Sequence, residues 1–499
     1  MEVKFGNKPV KCLRPFYGQV HTQEQTQEIR LPDAYPDIGK VLGCWGQVLM
    51  RGKEWRSTSM GANGGIMAWV MYAPEDGTQP RVVDAWIPIT CRWEFPEQAE
   101  DGVMILCPML AALDSRGISA RKIMIRGVVD VFAQAMDKKT MELPSPGELP
   151  EDVQLLTRSY PAELPVEAGE KQVQLEEVIP LQGNMTDIQK IVSCDMMPRI
   201  SEQKVLGNRL VFRGQADVRV HYLTQDGEMH IWKTEIPFSQ FTELDGDYAP
   251  GASAWIIPIT TAMELDLMED LQMKLRGGIA AQYVIFNRTM LDVVEDAYST
   301  KREITPQITE FQIPILLDNT AMEMPVSGVL KGDIAQLESA CLYGEYPTIR
   351  MGNETAELHM DGHMQTLYRD SENLLTGDNV RFDSSIAFPS AQENQIQIWP
   401  GFPMGAESIP GTDGMTLQSN YPVMIQVYSG ESIPMVTELK IGQERTADPN
   451  RPSIILRRAG NESLWNIAKD YGSTVEAIRE ANKITEEPEK GQILLIPLS

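Results

Sequence analysis

Alternation of apolar and polar residues runs through most of the chain. Ala216-Asp217-Val218-Arg219-Val220-His221-Tyr222 shows it most clearly: every second side chain is apolar, the period of a strand with one face in a core. Leu210-Val211-Phe212 leads into this run through Arg213-Gly214. Gln225-Asp226-Gly227 is a turn signal, and Met229-His230-Ile231-Trp232-Lys233 resumes as the returning strand. Pro250-Gly251 marks another turn before Ala252-Ser253-Ala254-Trp255-Ile256-Ile257. Such strands predict a sandwich or partly closed barrel of about 110–130 residues.

The unit recurs. Asp37-Ile38-Gly39-Lys40-Val41-Leu42-Gly43-Cys44 reappears as Asp187-Ile188-Gln189-Lys190-Ile191-Val192-Ser193-Cys194. Val70 to Gly77 answers Val220 to Gly227, Ile87-Pro88 answers Ile236-Pro237, and Ile125-Arg126-Gly127 answers Leu275-Arg276-Gly277. A third, looser copy runs from about Gln312. There Asp333-Ile334 answers Asp187-Ile188, Leu367-Tyr368 answers His221-Tyr222, and Ile386-Ala387-Phe388 answers Ile236-Pro237-Phe238. Leu143 to Pro150 and Pro161 to Pro165 are rich in Pro and Glu and read as a linker, with a short helix open around Val153 to Tyr160.

The period changes near the C-terminus. After a strand-type run, Ser453-Ile454-Ile455-Leu456-Arg457, the residues Leu464, Ile467, Ala468 and Tyr471 recur at helical spacing. Ser463 is placed to cap this helix and Gly472 to stop it. Ser473-Thr474-Val475-Glu476 reads as a capping box for a second helix carrying Val475, Ile478 and Ala481. A turn over Thr485 to Gly491 precedes a closing strand, Ile493 to Pro497. The run NESLWNIAKDYG, STVEAIREANK and GQILLIP closely resembles a LysM module, in which Asn461 stands where the family usually has Gly. Asn tolerates a left-handed backbone, so the turn is expected to survive.

Composition narrows the function. At 499 residues the chain needs several cores. Hydrophobic content of 42% is that of a globular protein, and a net charge of -26 argues against nucleic acid and anionic membrane surfaces as partners. No apolar run approaches the eighteen or so residues of a spanning helix, and the N-terminus shows no signal peptide. The cysteines, Cys12, Cys44, Cys91, Cys107, Cys194 and Cys341, form no close pairs, as in a reducing compartment. These features together predict an intracellular protein.

Candidate chemistry is sparse. His359 and His363 lie in a strand-type stretch, where four residues span about 13 Å, too far for one metal ion; a solvated face is expected. Gly61-Ala62-Asn63-Gly64-Gly65 lacks the Gly-Lys-Ser/Thr end of a phosphate loop and reads as a turn. No cofactor, metal or catalytic set is expected, and the chain reads as a non-enzyme.

The stretch Arg209 to Phe241 resembles the SPOCS domain of clostridial spore coat proteins. Repeated SPOCS-like units followed by a LysM module is the layout of the SipL family of coat-morphogenesis proteins. The resemblance implies a mainly β fold, with three repeated β-sandwich-like SPOCS domains and a small βααβ LysM domain. The expected domains are residues 1–136, 170–300 and 312–446, with a linker at 137–169 and the LysM at 453–499. It further implies a mother-cell, cytoplasmic scaffold at the forespore surface. Such a protein docks on a coat basement-layer ATPase through its LysM, and binds other coat proteins or itself through its repeats.

Glycan-binding LysM modules use a groove between two loops, here Gly460 to Ser463 and Thr485 to Lys490. Its candidate residues are Asn461, Glu462, Ser463, Trp465, Glu486, Glu487 and Glu489. The glutamates would repel anionic peptidoglycan, so sugar binding is expected to be weak or absent, with peptidoglycan or N-acetylglucosamine binding as the alternative function. Trp465 reads first as packing and second as an exposed contact residue. Charge reversal at Glu486 and Glu487 is expected to leave the LysM core folded.

Overall fold

Period-two patterning becomes strand almost throughout. The computed structural model describes residues 2–181, 185, 187–268, 271–390, 394–403, 405–411, 413–445 and 452–498. The expected connection Ala447 to Pro452 falls outside them except for Pro452.

The first repeat contains β2 (Gly6–Arg30), β3 (Ile38–Arg56), β4 (Ser59–Pro74), β5 (Arg81–Glu94), β6 (Gly102–Ser119) and β7 (Lys122–Ser145), preceded by the short β1 (Glu2–Lys4). Its strands form two antiparallel sheets, ordered β2-β7-β6 and β3-β4-β5. The second repeat has β8 (Val153–Pro180), β9 (Ile188–Thr224), β10 (Met229–Tyr248), β11 (Ser253–Met268) and β12 (Gln272–Ser299). Its sheets are β8-β12-β11 and β9-β10, with β9 continuous over the stretch where the first repeat has two strands.

The third repeat begins with β13 (Arg302–Gln312) and β14 (Leu316–Lys331), then β15 (Ile334–Gly344), β16 (Thr348–Met351), β17 (Thr355–Asp370) and β18 (Leu375–Pro389). It ends with β19 (Gln395–Pro400), β20 (Glu407–Pro410), β21 (Gly414–Tyr428) and β22 (Ser432–Glu444). Here β14-β21-β19 and β15-β17-β18 repeat the two sheets of the first unit. The landmarks fall on equivalent strands: Ile38, Ile188 and Ile334 begin β3, β9 and β15, and Cys44, Cys194 and Cys341 follow on those strands, all buried.

Residues 137–169 are not a linker. Most of them belong to β7 and β8, and only 146–152 lie between the strands. Along β8, Ala162 and Leu164 are buried while Pro161 is exposed and Glu163 half-exposed. Pro161 and Glu163 thus fill outward positions of a period-two pattern, which composition alone disguises, while Pro165 is buried. Glu163 ties to Arg288 and Ser253, and Glu167 accepts from Tyr248. Pro165 sits beside a bulge at Ile285/Phe286, where an edge strand tolerates a missing N–H. No helix forms at 153–160.

The outer ends of these long strands make a stem. The β2/β7, β8/β12 and β13/β22 ribbons, one per repeat, bury Cys12 and Leu143, then Leu164, Leu291 and Val293, then Ile433 and Met435 in one cluster. A second cluster joins Phe5 to Val294 and Ala297 and to Val436, Leu439 and Ile441.

Polar side chains bolt the repeats together inside a largely apolar core. The Tyr343 hydroxyl oxygen of the third repeat accepts from the Gly46 backbone N–H of the first at 3.2 Å. Tyr346 N donates to Asp130 at 2.9 Å. Lys53 of the first repeat reaches Gln282 of the second at 2.5 Å and pairs with Glu170.

The glycine run Gly61 to Gly65 lies inside β4; the turn is at Ser57-Thr58, since Arg56 pairs with Ser59. A Cβ on Gly64 would meet Leu49 O at 2.2 Å and one on Gly65 the Trp86 ring at 2.4 Å, so these glycines allow close packing rather than chain reversal.

Candidate functional site

The C-terminal module is built as its sequence dictates. β23 (Ile454–Arg458) pairs antiparallel with β24 (Ile493–Pro497), and between them lie α1 (Leu464–Tyr471) and α2 (Val475–Asn482). Leu464, Ile467, Ala468, Ile478, Leu494 and Ile496 are fully buried together. Ser463 caps α1, accepting from Asn466 N, and Gly472 ends it at φ 62°. Helix α2 is capped by Thr474, not Ser473. Ser473 is wholly buried and its hydroxyl donates to Pro497 O, so it fastens the helix start to the closing strand. Asn461 is not among the residues with positive φ, so its tolerance for a left-handed backbone is not used.

The two candidate loops meet at the start of α1. Glu487 Oε2 accepts from Leu464 N at 2.7 Å, occupying a free donor at the helix's positive end. Glu462 accepts from Arg457 at 2.7 Å; its own backbone N–H, that of Gly460 and the Arg457 charge hold its carboxyl below the usual range. Asn461, Ser463, Glu486 and Glu489 are exposed around this point. Six of the seven candidate residues therefore lie on these two loops, and Glu487 holds the start of α1 rather than standing as a free rim charge.

Trp465 departs from the group. It lies on the side of α1 that faces the second repeat, where its Nε1–H donates to Asp296 at 2.8 Å and its ring packs against Tyr298. The packing reading is right, but the wall is another domain. Asp296, Tyr298 and Lys469 carried no recognisable signal in the sequence beyond the four-residue spacing of Trp465 and Lys469 on one helix face.

Elsewhere the histidine most deeply buried is His221, between the second and third repeats. Its Nδ1 lies 2.9 Å from Ser193 Oγ and its Nε2 3.2 Å from Ser339 Oγ. Burial pushes its pKa down to about 4, against the pull of Asp195, which itself pairs with Arg219 at 2.8 Å. With both ring nitrogens held by serines and the residue 2% exposed, it joins strands and offers no base to solvent. His359 pairs with Asp361, whereas His363 packs on Tyr343 and burial lowers its pKa, so the solvated-face reading fails at His363. Among the described residues no group of three or more His, Cys, Asp or Glu could hold a metal ion, and no helix is long and apolar enough to cross a membrane. All six thiols are buried, and burial raises their pKa values, to about 11 for Cys12 and Cys91 and about 12 for Cys107.

Among curated proteins and solved structures, none matches the chain. Two family profiles do: the SipL SPOCS domain over residues 187–262, and the LysM domain over residues 460–497. The first spans β9 to β11 of the second repeat and the second covers both helices and the closing strand. The chain thus carries, within a mainly β fold, a match to the SipL SPOCS domain in its second repeat and a LysM domain at its C-terminus.

Proposed function

We propose that this protein is a non-enzymatic scaffold of endospore coat assembly, acting on the mother-cell side of the forespore surface. Its LysM binds a coat basement-layer ATPase, and its three β repeats bind other coat proteins or a second copy. The observation that carries this reading is the joint occurrence of a SipL SPOCS domain and a LysM in one chain. The strand order repeated in three sheet pairs supports treating each repeat as one domain. The second domain then starts at β8, before residue 170, and the third at β13, before residue 312.

For the partner of the LysM, the acidic groove is the guide. Glu462, Glu486, Glu487 and Glu489 gather carboxylates where a glycan-binding module would seat sugar, which disfavours anionic peptidoglycan. The alternative, a binder of N-acetylglucosamine polymers, draws on the LysM fold itself. Titration of the full chain with the ATPase and, separately, with N-acetylglucosamine oligomers tests the choice. Saturable ATPase binding without sugar binding is the expected result; micromolar sugar binding without ATPase binding overturns it.

A further inference from the structure

Two side chains near the end of β12 face helix α1 of the LysM. The Asp296 carboxylate accepts from Trp465 Nε1 at 2.8 Å and from Lys469 Nζ at 2.6 and 2.8 Å. Trp465 and Lys469 are four residues apart on one helix, so a single carboxylate reaches both. Tyr298 donates its hydroxyl to Ser473 O at 2.8 Å, and its ring meets that of Trp465 edge-on, with centroids 4.7 Å apart and planes at 69°. Tyr298 is 5% exposed and lies in the same apolar cluster as Leu464, Ile467 and Ile478. Burial, and then the Glu476 and Asp296 charges, raise its pKa, which keeps the phenol protonated and donating.

We propose that this face of α1 is an intramolecular seat, and that seating withdraws the Trp465 ring from ligands. Any partner or sugar ring that stacks on Trp465 must first displace Tyr298 and Asp296. Seating and such stacking exclude each other, so a Trp465-dependent ligand binds only the released fraction of molecules. A ligand that uses the groove alone meets no such cost, because Asn461, Ser463, Glu486 and Glu489 stay exposed in the seated form. The seat thereby sorts ligands of the LysM by whether they need the indole. Its consequence for binding rests on reading the LysM as the binding module; the seat itself does not.

The test needs no ligand. Cysteines placed at the exposed Glu177 and Glu480 carry spin labels on the full chain, whose six native thiols are buried. Hydroxyl-radical footprinting, read by mass spectrometry, reports how open the Trp465 ring is. The unmodified chain is expected to give one narrow interspin distance and a slow Trp465 rate. Asp296→Ala, and Lys469→Met on the other side of the contact, are expected to broaden the distance and raise the Trp465 rate about tenfold, equivalent to about 1.4 kcal/mol. Tyr298→Phe keeps the ring and the fold, loses the bond to Ser473, and is expected to give a smaller shift in the same direction. A broad distance in the unmodified chain, or a Trp465 rate unchanged in both Asp296→Ala and Lys469→Met, overturns the proposal. Neither outcome bears on whether the LysM binds the ATPase.

Discussion

Gln47 of the first repeat pairs with the backbone of Met196 in the second as a neighbouring strand would: its Nε2 donates to Met196 O at 2.5 Å and its Oε1 accepts from Met196 N at 3.1 Å. Gln282 does the same in reverse, donating to Leu106 O and accepting from Leu106 N, both at 2.8 Å. At each place one side-chain amide satisfies a buried donor and acceptor on the facing repeat.

Replacing Gln47 by Met keeps the volume but strands the buried Met196 N–H, while Thr260 still donates to Met196 O; replacing Gln282 by Met strands both the N–H and the C=O of Leu106. Each substitution is expected to cost about 2–4 kcal/mol. Denaturant unfolding checks this; a lowered midpoint with a new early transition would show the repeats parting before they unfold.

Leu164 is 1% exposed and packs in the stem with residues of all three ribbons. Leu164→Ala is expected to destabilise the chain by about 2–5 kcal/mol, the range for a core leucine, whereas a true linker position would lose nothing. Limited proteolysis should also leave residues 153–180 intact until global unfolding.

The buried His221 makes stability depend on pH in a definite direction. Its folded pKa, about 4, lies below the unfolded value of about 6.5, so only the unfolded chain takes up a proton between those limits. Stability contributed by the neutral ring is present above the unfolded pKa and is lost as pH falls toward the folded one. Between pH 7 and 5 the loss is expected to reach about 2 kcal/mol. His221→Gln, which can still bond both serines, should remove most of that slope in urea midpoints measured at the two pH values.

Glu486 and Glu487 are neighbours with different duties. Glu487→Lys removes the acceptor for Leu464 N and puts a cation at the helix's positive end, so it is expected to lower LysM stability by about 1–2 kcal/mol. Glu486→Lys should leave the unfolding temperature of the module unchanged. It should alter the association rate with a protein partner, more strongly at low salt. Equal stability of both variants would show that the Glu487 bond is not holding the helix.

Local order was legible in the sequence wherever neighbours along the chain set it. Ser463 and Gly472 bound a helix because each caps backbone groups within a few residues, and the alternation from Ala216 to Tyr222 needs only one buried sheet face. The recurrence of Asp-Ile before Cys44 and Cys194, and of Asp333-Ile334 before Cys341, likewise located equivalent strands, because repeated units bury the same positions. What only the tertiary structure decided is how distant segments meet. Pro161 and Glu163 look like linker residues until Leu291 and Val293 lie across from that strand and make one of its faces a core. Ser473 looks like a cap until Pro497 O claims its hydroxyl, and Thr474 takes the duty instead. Trp465 reads as packing at a helix start, but only the fold shows that what it packs against is Asp296 and Tyr298, more than 160 residues earlier. Hydrophobic period is a property of one strand or helix against an unspecified apolar surface, whereas a hydrogen bond or edge-on ring needs a particular partner. That partner exists only once the chain has brought its repeats and its last module together.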